Sequence, residues 1–249
     1  MNILLTGHQG FIGKNLYNQL KLKYNVIGFD LKSGQDILKD KFPDNINLVI
    51  HLAGLSSVKD SLKNPQKYWI TNVIGTKKVF DYYKNIRVLY ASSSTAHEPW
   101  QNPYAMSKFC MEKLEHKNSL GMRFTTVYGE GARQEMLIPK IINNKVKYIN
   151  INHKRDFIHV KDVNCLIEIM IKKEFKGIVD VGIGKAEKLV DIMEYFKIDY
   201  KKTIGDETER LDNTADISKL KKFGWKAKIN LYEYLKKAKE KNENKASKY

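Results

Sequence analysis

Arginine, cysteine and long apolar runs are scarce in this 249-residue chain, and each scarcity excludes something. The two cysteines, Cys110 and Cys165, have no metal-ligand spacing, which rules out a disulfide scaffold and a cysteine-built metal centre. A reduced, cytoplasmic, metal-free protein is expected. No apolar stretch is long enough to cross a bilayer, and with the first motif at residue 7 no targeting segment is expected ahead of it. Only Arg87, Arg123, Arg133, Arg155 and Arg210 are arginines, although the net charge is +16. The other cations are lysines scattered over the whole chain, with no stripe interleaved with aromatics. Such a pattern does not read as a nucleic-acid footprint, and the lysine-rich end at 236–248 is the stretch that leaves this class open. An anionic small substrate would be drawn by the same positive field.

What is present begins at once. Ile3, Leu4 and Leu5 form a short apolar run, as a strand buried on both faces of a parallel sheet requires, and Gly7, Gly10 and Gly13 follow at intervals of three. The first glycine permits a tight turn, the second a close approach of backbone to a pyrophosphate, and the third close helix-to-strand packing. Asp30 ends a second strand-like run, 25–30, where an acid can meet a ribose hydroxyl. It favours NAD, while nearby Lys32 keeps NADP open.

Helices are expected at 11–23, 65–84 and 102–117, and strands at 25–30, 47–52, 87–91 and 122–127. This alternation predicts an α/β fold with a doubly wound parallel sheet. His51 reads as an ordinary strand-end residue, followed by the small residues Ala53 and Gly54. Beyond residue 129 the order loosens, with helices expected at 135–143, 163–173, 189–196, 217–223 and 231–241, and short strands at 147–151 and 178–183. The expected division is a nucleotide-binding domain over 1–128, with a returning segment near 153–170. A smaller C-terminal substrate lobe would take 129–152 and 171–249, its tail frayed after about 240. No internal repeat is present.

Tyr104 and Lys108, four apart on one helix, project on the same face. An ammonium beside a phenol favours the phenolate, which can then take a proton from a substrate hydroxyl near neutral pH. The hydroxyls of Ser92-Ser93-Ser94-Thr95, at the carboxyl edge of the sheet, can bond the same oxygen.

With these landmarks in order, the chain resembles the extended short-chain dehydrogenase/reductase family, the NAD-dependent epimerases and dehydratases of nucleotide sugars, which have a Rossmann fold. The resemblance runs through T-G-H-Q-G-F-I-G at 6–13, H-L-A-G at 51–54, N-V-I-G-T at 72–76, Y-A-S-S-S-T at 90–95 and N-P-Y-A-M-S-K at 102–108. It continues in R-F-T-T-V-Y-G at 123–129, R-D-F-I-H-V-K-D-V at 155–163, D-V-G-I-G at 180–184 and A-D-I-S-K-L-K-K-F-G-W at 215–225. It implies catalytic roles for Tyr104, Lys108 and Ser93, or Ser94 if the register shifts by one. It implies NAD contacts from Gly7, Gly10, Phe11, Ile12, Gly13, Asp30, Asp36, Ile37, Leu52, Ala53, Gly54 and Asn72, with Asp36 and Ile37 at the adenine. Ser94, Thr95, Thr126, Arg133, Arg155 and Arg210 would meet substrate, Arg155 at the diphosphate and Thr126 with Arg133 at a carboxylate or sugar hydroxyls. Arg123 is expected to serve structure.

Two departures stand out. Ala96-His97-Glu98 replaces the family's V-Y-G, and only ten residues separate Ser93 from Tyr104, a short link that implies an open sugar pocket. His97 and Glu98 are expected as solvated loop residues, with an acid/base role as the alternative. The resemblance implies a nucleotide-sugar 4-epimerase, for a UDP-sugar, working as a homodimer through the helices expected at 65–84 and 102–117. A dehydratase, decarboxylase or reductase of the same family is the nearer alternative, and Ser94-Thr95 in place of an Asp-Glu pair counts against a 4,6-dehydratase. A non-catalytic dinucleotide-binding protein is the remoter one. A membrane partner is not expected.

Overall fold

The computed structural model describes residues 1–205 and 207–246. Five strands open the chain: β1 (Asn2–Thr6), β2 (Asn25–Phe29), β3 (Leu48–His51), β4 (Arg87–Ser93) and β5 (Ser119–Phe124). With Gly177–Val181 they make a six-stranded sheet in the order Gly177–Val181, β5, β4, β3, β1, β2, each neighbouring pair parallel. β1 therefore lies between β2 and β3. That reversal of strand order opens a crevice at the carboxyl ends of β1 and β3, where open α/β sheets bind ligands.

The period of two along each strand sorts the side chains into two cores. Ile3, Leu5, Ile50 and Leu89 face one side, against Leu16 and Leu20 of α1 (Phe11–Leu20) and Val163, Leu166, Ile167 and Met170 of the Val160–Ile171 helix. Leu4, Val49, Val88 and Tyr90 face the other, against Val73, Val79, Phe80 and Met111. A third core gathers Tyr128, Ile141, Ile149, Phe157, Ile192, Met193 and Leu235.

The expected helix at 65–84 forms in pieces: Pro65–Tyr68, a π-helical turn at Trp69–Ile74, then Gly75–Tyr82. The turn carries Asn72, and π-bulges of this kind frequent functional sites. The strand expected at 122–127 divides, because Thr125 N–H still bonds Val181 O whereas Thr126 N–H bonds Asp156 O. Thr126–Tyr128 thereby leaves the sheet to pair with Phe157–His159. The helix expected at 102–117 is shorter, Pro103–Glu112, and the turn after it is held by His116 on Tyr83 O.

Three features of the structure bear on the expected division. Gly177–Val181 belongs to the central sheet, and Leu220 and Trp225 pack in the first core, whereas Leu189, Ile192 and Met193 between them pack in the third. The last helix, Leu231–Ala246, runs past the point near 240 where fraying was expected. Asn242 anchors it by donating to Ile142 O at 3.1 Å, while 247–249 lie outside the described residues. The short helix Val58–Lys63 and the strands Lys154–Arg155, Glu187–Lys188 and Lys201–Thr203 have no clear signature in the sequence, whereas Tyr148–Asn150, which pairs with Lys201–Thr203, falls inside the short strand expected at 147–151.

At the carboxyl edge a directed chain of hydrogen bonds ties three elements together. Ala53 N–H donates to Thr6 Oγ1 at 3.2 Å, and the Thr6 hydroxyl donates to His51 Nδ1 at 2.7 Å. His51 Nε2–H then donates to Thr76 Oγ1 at 3.0 Å, because the Thr76 hydroxyl is spent on Asn72 O at 2.5 Å. His51 is thus neutral and structural, as its place at a strand end suggested, and burial pushes its pKa down to about 3.

Two outcomes are expected. A Cβ on Gly13 would drive into Gly7 O, so Gly13→Ala costs about 1–3 kcal/mol, read as a lower Tm. His51 binds its proton more weakly folded than unfolded, so its contribution is complete above pH 6.5 and is lost as pH falls towards about 3. Urea unfolding at pH 6, 5 and 4 then shows a slope steeper in the wild type than in His51→Gln, approaching about 1.4 kcal/mol per unit. Equal slopes would refute the assignment.

Candidate active site

Gly7 takes φ +71°, and a Cβ there would lie 2.6 Å from Ala53 N, so only glycine lets β1 turn this close to the chain leaving β3. Gly7 N–H bonds Phe29 O at 2.8 Å, and Gly10 N–H bonds Gly7 O at 3.0 Å. α1 then starts with no side-chain cap and no acid in its first turn. The free N–H groups of Phe11, Ile12 and Gly13 and the positive end of the helix dipole suit a pyrophosphate. Gly7, Gly10, Phe11, Ile12 and Gly13 line a cavity of about 730 Å³, together with Leu52 and Gly54. A dinucleotide fits this cradle. Asp30 lies behind the wall and does not line it, accepting from Gln9 N and Lys32 N at 2.9 Å each, while Gln9 and Lys32 themselves line the wall.

Asn72 is fully buried. Its side chain accepts from Leu55 N at 2.8 Å and donates to Leu55 O at 3.1 Å and Ser107 Oγ at 2.9 Å, joining the 54–55 loop to the Pro103–Glu112 helix. Asp36 and Ile37 do not reach the cavity wall. Asp36 caps Leu38 N at 2.9 Å, and Ile37 packs in the second core against Gly75, because its apolar side chain gains more from burial there. Ala53 is likewise held through its backbone and does not line the wall.

Asn102 begins the next helix by accepting from Ala105 N at 2.8 Å, and this fixes where Tyr104 and Lys108 point. Both are buried and both line the cavity. Lys108 Nζ donates to Ala91 O at 2.8 Å and stands 6.0 Å from the centroid of the Tyr104 ring. The lysine was expected to lower the phenol's pKa. Instead burial raises it, opposed by a hydrogen bond from Ser93 and by the charge of Arg133. Burial also pushes Lys108 down to about 8, with the Glu112 carboxylate pulling the other way.

Strand alternation turns Ser92 and Ser93 to opposite faces, and Ser94 begins the turn that follows. Ser92 donates to Glu112 at 2.5 Å, Ser93 faces Tyr104 and accepts from Thr95 Oγ1 at 2.9 Å, and Ser94 offers its carbonyl to Arg210 at 2.8 Å. All three and Thr95 line the cavity, with Ser93 the hydroxyl nearest in role to the expected one.

Thr126, Arg133, Arg155 and Arg210 complete the wall. Arg133 donates to Ser56 Oγ at 2.9 Å, and Thr126 accepts from Asn213 at 3.1 Å. Arg155 donates to Glu209 and His153 at 2.9 Å, and Arg210 to Glu98 at 2.9 Å. Arg123 is structural, clamped bidentately on Glu112 at 2.8 and 2.6 Å. His97 and Glu98 are not free solvated groups. His97 pairs with Asp180 at 3.0 Å and Glu98 with Arg210, since long-range folding brings each opposite a charge. Glu112 and Glu209 went unnoticed in the sequence. Glu112, four residues beyond Lys108 on the same helix face, carried a usable signal, whereas Glu209 carried none.

Comparison with known proteins agrees with this geometry. The NAD dependent epimerase/dehydratase family matches residues 3–182. The chain is 30% identical to a GDP-6-deoxy-D-talose 4-dehydrogenase of Aggregatibacter actinomycetemcomitans, covering 70% of this chain and 71% of that protein. It is 29% identical to a UDP-glucuronate 4-epimerase of Thermodesulfobacterium geofontis, over 77% and 71%. The structure of MoeE5 in complex with UDP-glucuronic acid and NAD has the same fold, with a TM-score of 0.85 at 24% identity over 94% and 96% of the two chains. A glycine cradle, a buried Tyr-x-x-x-Lys pair and a match over most of the chain all lead to one assignment: this protein is an enzyme of the NAD-dependent epimerase/dehydratase family.

Proposed function

We propose that the enzyme is a nucleotide-sugar 4-epimerase acting on a UDP-sugar. The observation that carries this is the single cavity in which Tyr104, with Ser93 beside its hydroxyl, shares walls with the uncapped helix of the glycine cradle and with three arginines. Gly7, Gly10, Phe11, Ile12 and Gly13 would hold the NAD pyrophosphate, Asp30 the adenosine ribose and Lys108 the nicotinamide ribose. NAD, when bound there, would supply the acceptor and donor of hydride for C4 of the sugar.

Tyr104 takes the proton of the C4 hydroxyl as the keto sugar forms and gives it back when the alcohol is restored. Ser93 holds the same oxygen by hydrogen bonding and lowers the cost of its developing charge. Arg133 adds a positive field to the phenolate, opposing the burial that otherwise keeps Tyr104 protonated. Arg155 grips the diphosphate, with Arg210 beside it on the same wall; Ser94, Thr95 and Thr126 bound the sugar end. The UDP-glucuronate 4-epimerase relative and the MoeE5 complex support the UDP-sugar reading. Glu209 is the one carboxylate among the described residues of the wall, and it is tied to Arg155. A dehydratase would need a free acid/base pair beside Ser93, so this observation favours epimerisation.

The free thiols Cys110 and Cys165 suit a reducing, cytoplasmic setting. Trp69, Ile70 and Ile74 on the helix before Tyr82, with Met106 on the catalytic helix, are exposed apolar groups that suit a homodimer face. Sedimentation is expected to find a dimer, and a monomer for Ile70→Glu/Ile74→Glu; a monomeric wild type would remove this reading.

Incubation with UDP-glucose, UDP-N-acetylglucosamine and UDP-glucuronate, followed by proton NMR, is expected to show one of them converted to its C4 epimer with NAD recycled. Tyr104→Phe should lower kcat by about 10²–10⁴-fold with fold and NAD binding intact. Because burial raises the Tyr104 pKa, activity rises with pH from neutrality. Full activity of Tyr104→Phe would sink the mechanism, and stoichiometric consumption of NADH would point to a reductase.

A further inference from the structure

We propose that Glu98 is a positioning residue that fixes Arg210 for the diphosphate of the substrate, an inference that rests on the nucleotide-sugar reading. Glu98 lies in the short link between Ser93 and Tyr104, where the family resemblance offers a glycine. Both of its carboxylate oxygens are engaged. Oε1 accepts from Arg210 Nε at 2.9 Å, and Oε2 accepts from Gln101 Nε2 at 2.6 Å. Arg210 Nη1 is held in turn by Ser94 O at 2.8 Å. With Nε and Nη1 taken, Nη2 is the guanidinium nitrogen without a protein partner among the described residues, on a side chain that lines the cavity.

Arg155 stands next to this group, its Nη1 donating to the carbonyl of Arg210 itself at 2.9 Å. Two guanidinium groups on one wall repel each other, and each carries its own carboxylate, Glu209 for Arg155 and Glu98 for Arg210. That arrangement suits a ligand with two adjacent negative charges, as a diphosphate has. The strap that bears Arg210 is also sewn to the catalytic helix, since Asn102 donates to Thr208 O at 2.8 Å while capping the turn that holds Tyr104. A diphosphate seated on Arg210 is thereby registered against Tyr104. Glu98 replaces, with one ion pair, the orienting work of a longer loop.

The sign of the effect separates positioning from simple charge. If Glu98 were only a nearby negative group, neutralising it would strengthen the binding of an anion. If it positions Arg210, neutralising it weakens binding although repulsion is removed. Calorimetric titration of the full chain with UDP, GDP and UMP is therefore made on the wild type, Glu98→Gln, Arg210→Ala and the double variant. Whichever diphosphate the wild type binds, Glu98→Gln is expected to weaken it about tenfold, with a smaller loss for UMP. The double variant should bind no worse than Arg210→Ala alone, because the two residues act as one unit. In turnover, KM for the nucleotide sugar should rise by more than kcat falls. Unchanged or tighter diphosphate binding by Glu98→Gln, with diphosphate binding intact in the wild type, overturns the proposal alone. A wild type that binds no nucleoside diphosphate overturns it together with the nucleotide-sugar reading.

Discussion

The architecture depends on how closely the backbone can pass itself at Gly7. A side chain there would drive into Ala53 N, and one at Gly13 would strike Gly7 O, so the first turn, the exit of β3 and the start of α1 form a single contact without side chains. Around that contact the chain spends its polar groups on holding position. Thr6, His51, Thr76 and Asn72 pass hydrogen bonds from one strand end to the next, and Asn72 hands them to the helix of Tyr104 through Ser107. The glycine cradle and the Tyr104–Lys108 pair are thus one framework, and a shift in either is felt by the other.

Much of this was legible in the residues. Strands buried on both faces announce themselves as apolar runs, so β1, β3 and β4 were placed nearly to their ends, and the glycine spacing and Tyr-x-x-x-Lys pair marked the cavity. What stayed hidden depends on contacts distant in sequence. Nothing near His97 or Glu98 foretells Asp180 or Arg210, and nothing near residue 177 tells that its strand completes the sheet beside β5. Asp36 and Ile37 show the same limit. The family pattern names them, but local capping and core packing decide where they go.

The phenol of Tyr104 marks where a local rule is overruled by its surroundings. Spacing alone puts an ammonium near a phenol and predicts a lowered pKa. In the folded chain the ammonium is drawn to Ala91 O, and burial penalises both charged forms, raising the tyrosine and lowering the lysine. Sequence spacing reports which groups are neighbours; it does not report how much water they have lost, and in a buried site desolvation is the larger effect.

The field of Arg133 then bears on the choice of substrate. It is one of the influences that favour the Tyr104 phenolate, together with the Ser93 hydrogen bond. A sugar carboxylate seated on Arg133 would gain a charged partner but cancel that field, leaving Ser93 alone to offset burial. A neutral sugar would leave the field on Tyr104 and gain less in binding. Among the described residues Arg133 is itself held by Ser56, at 2.9 Å, on the exposed side of the wall. Under the proposed function the same guanidinium would set affinity against proton transfer, and the charge that the sugar brings would decide which side prevails.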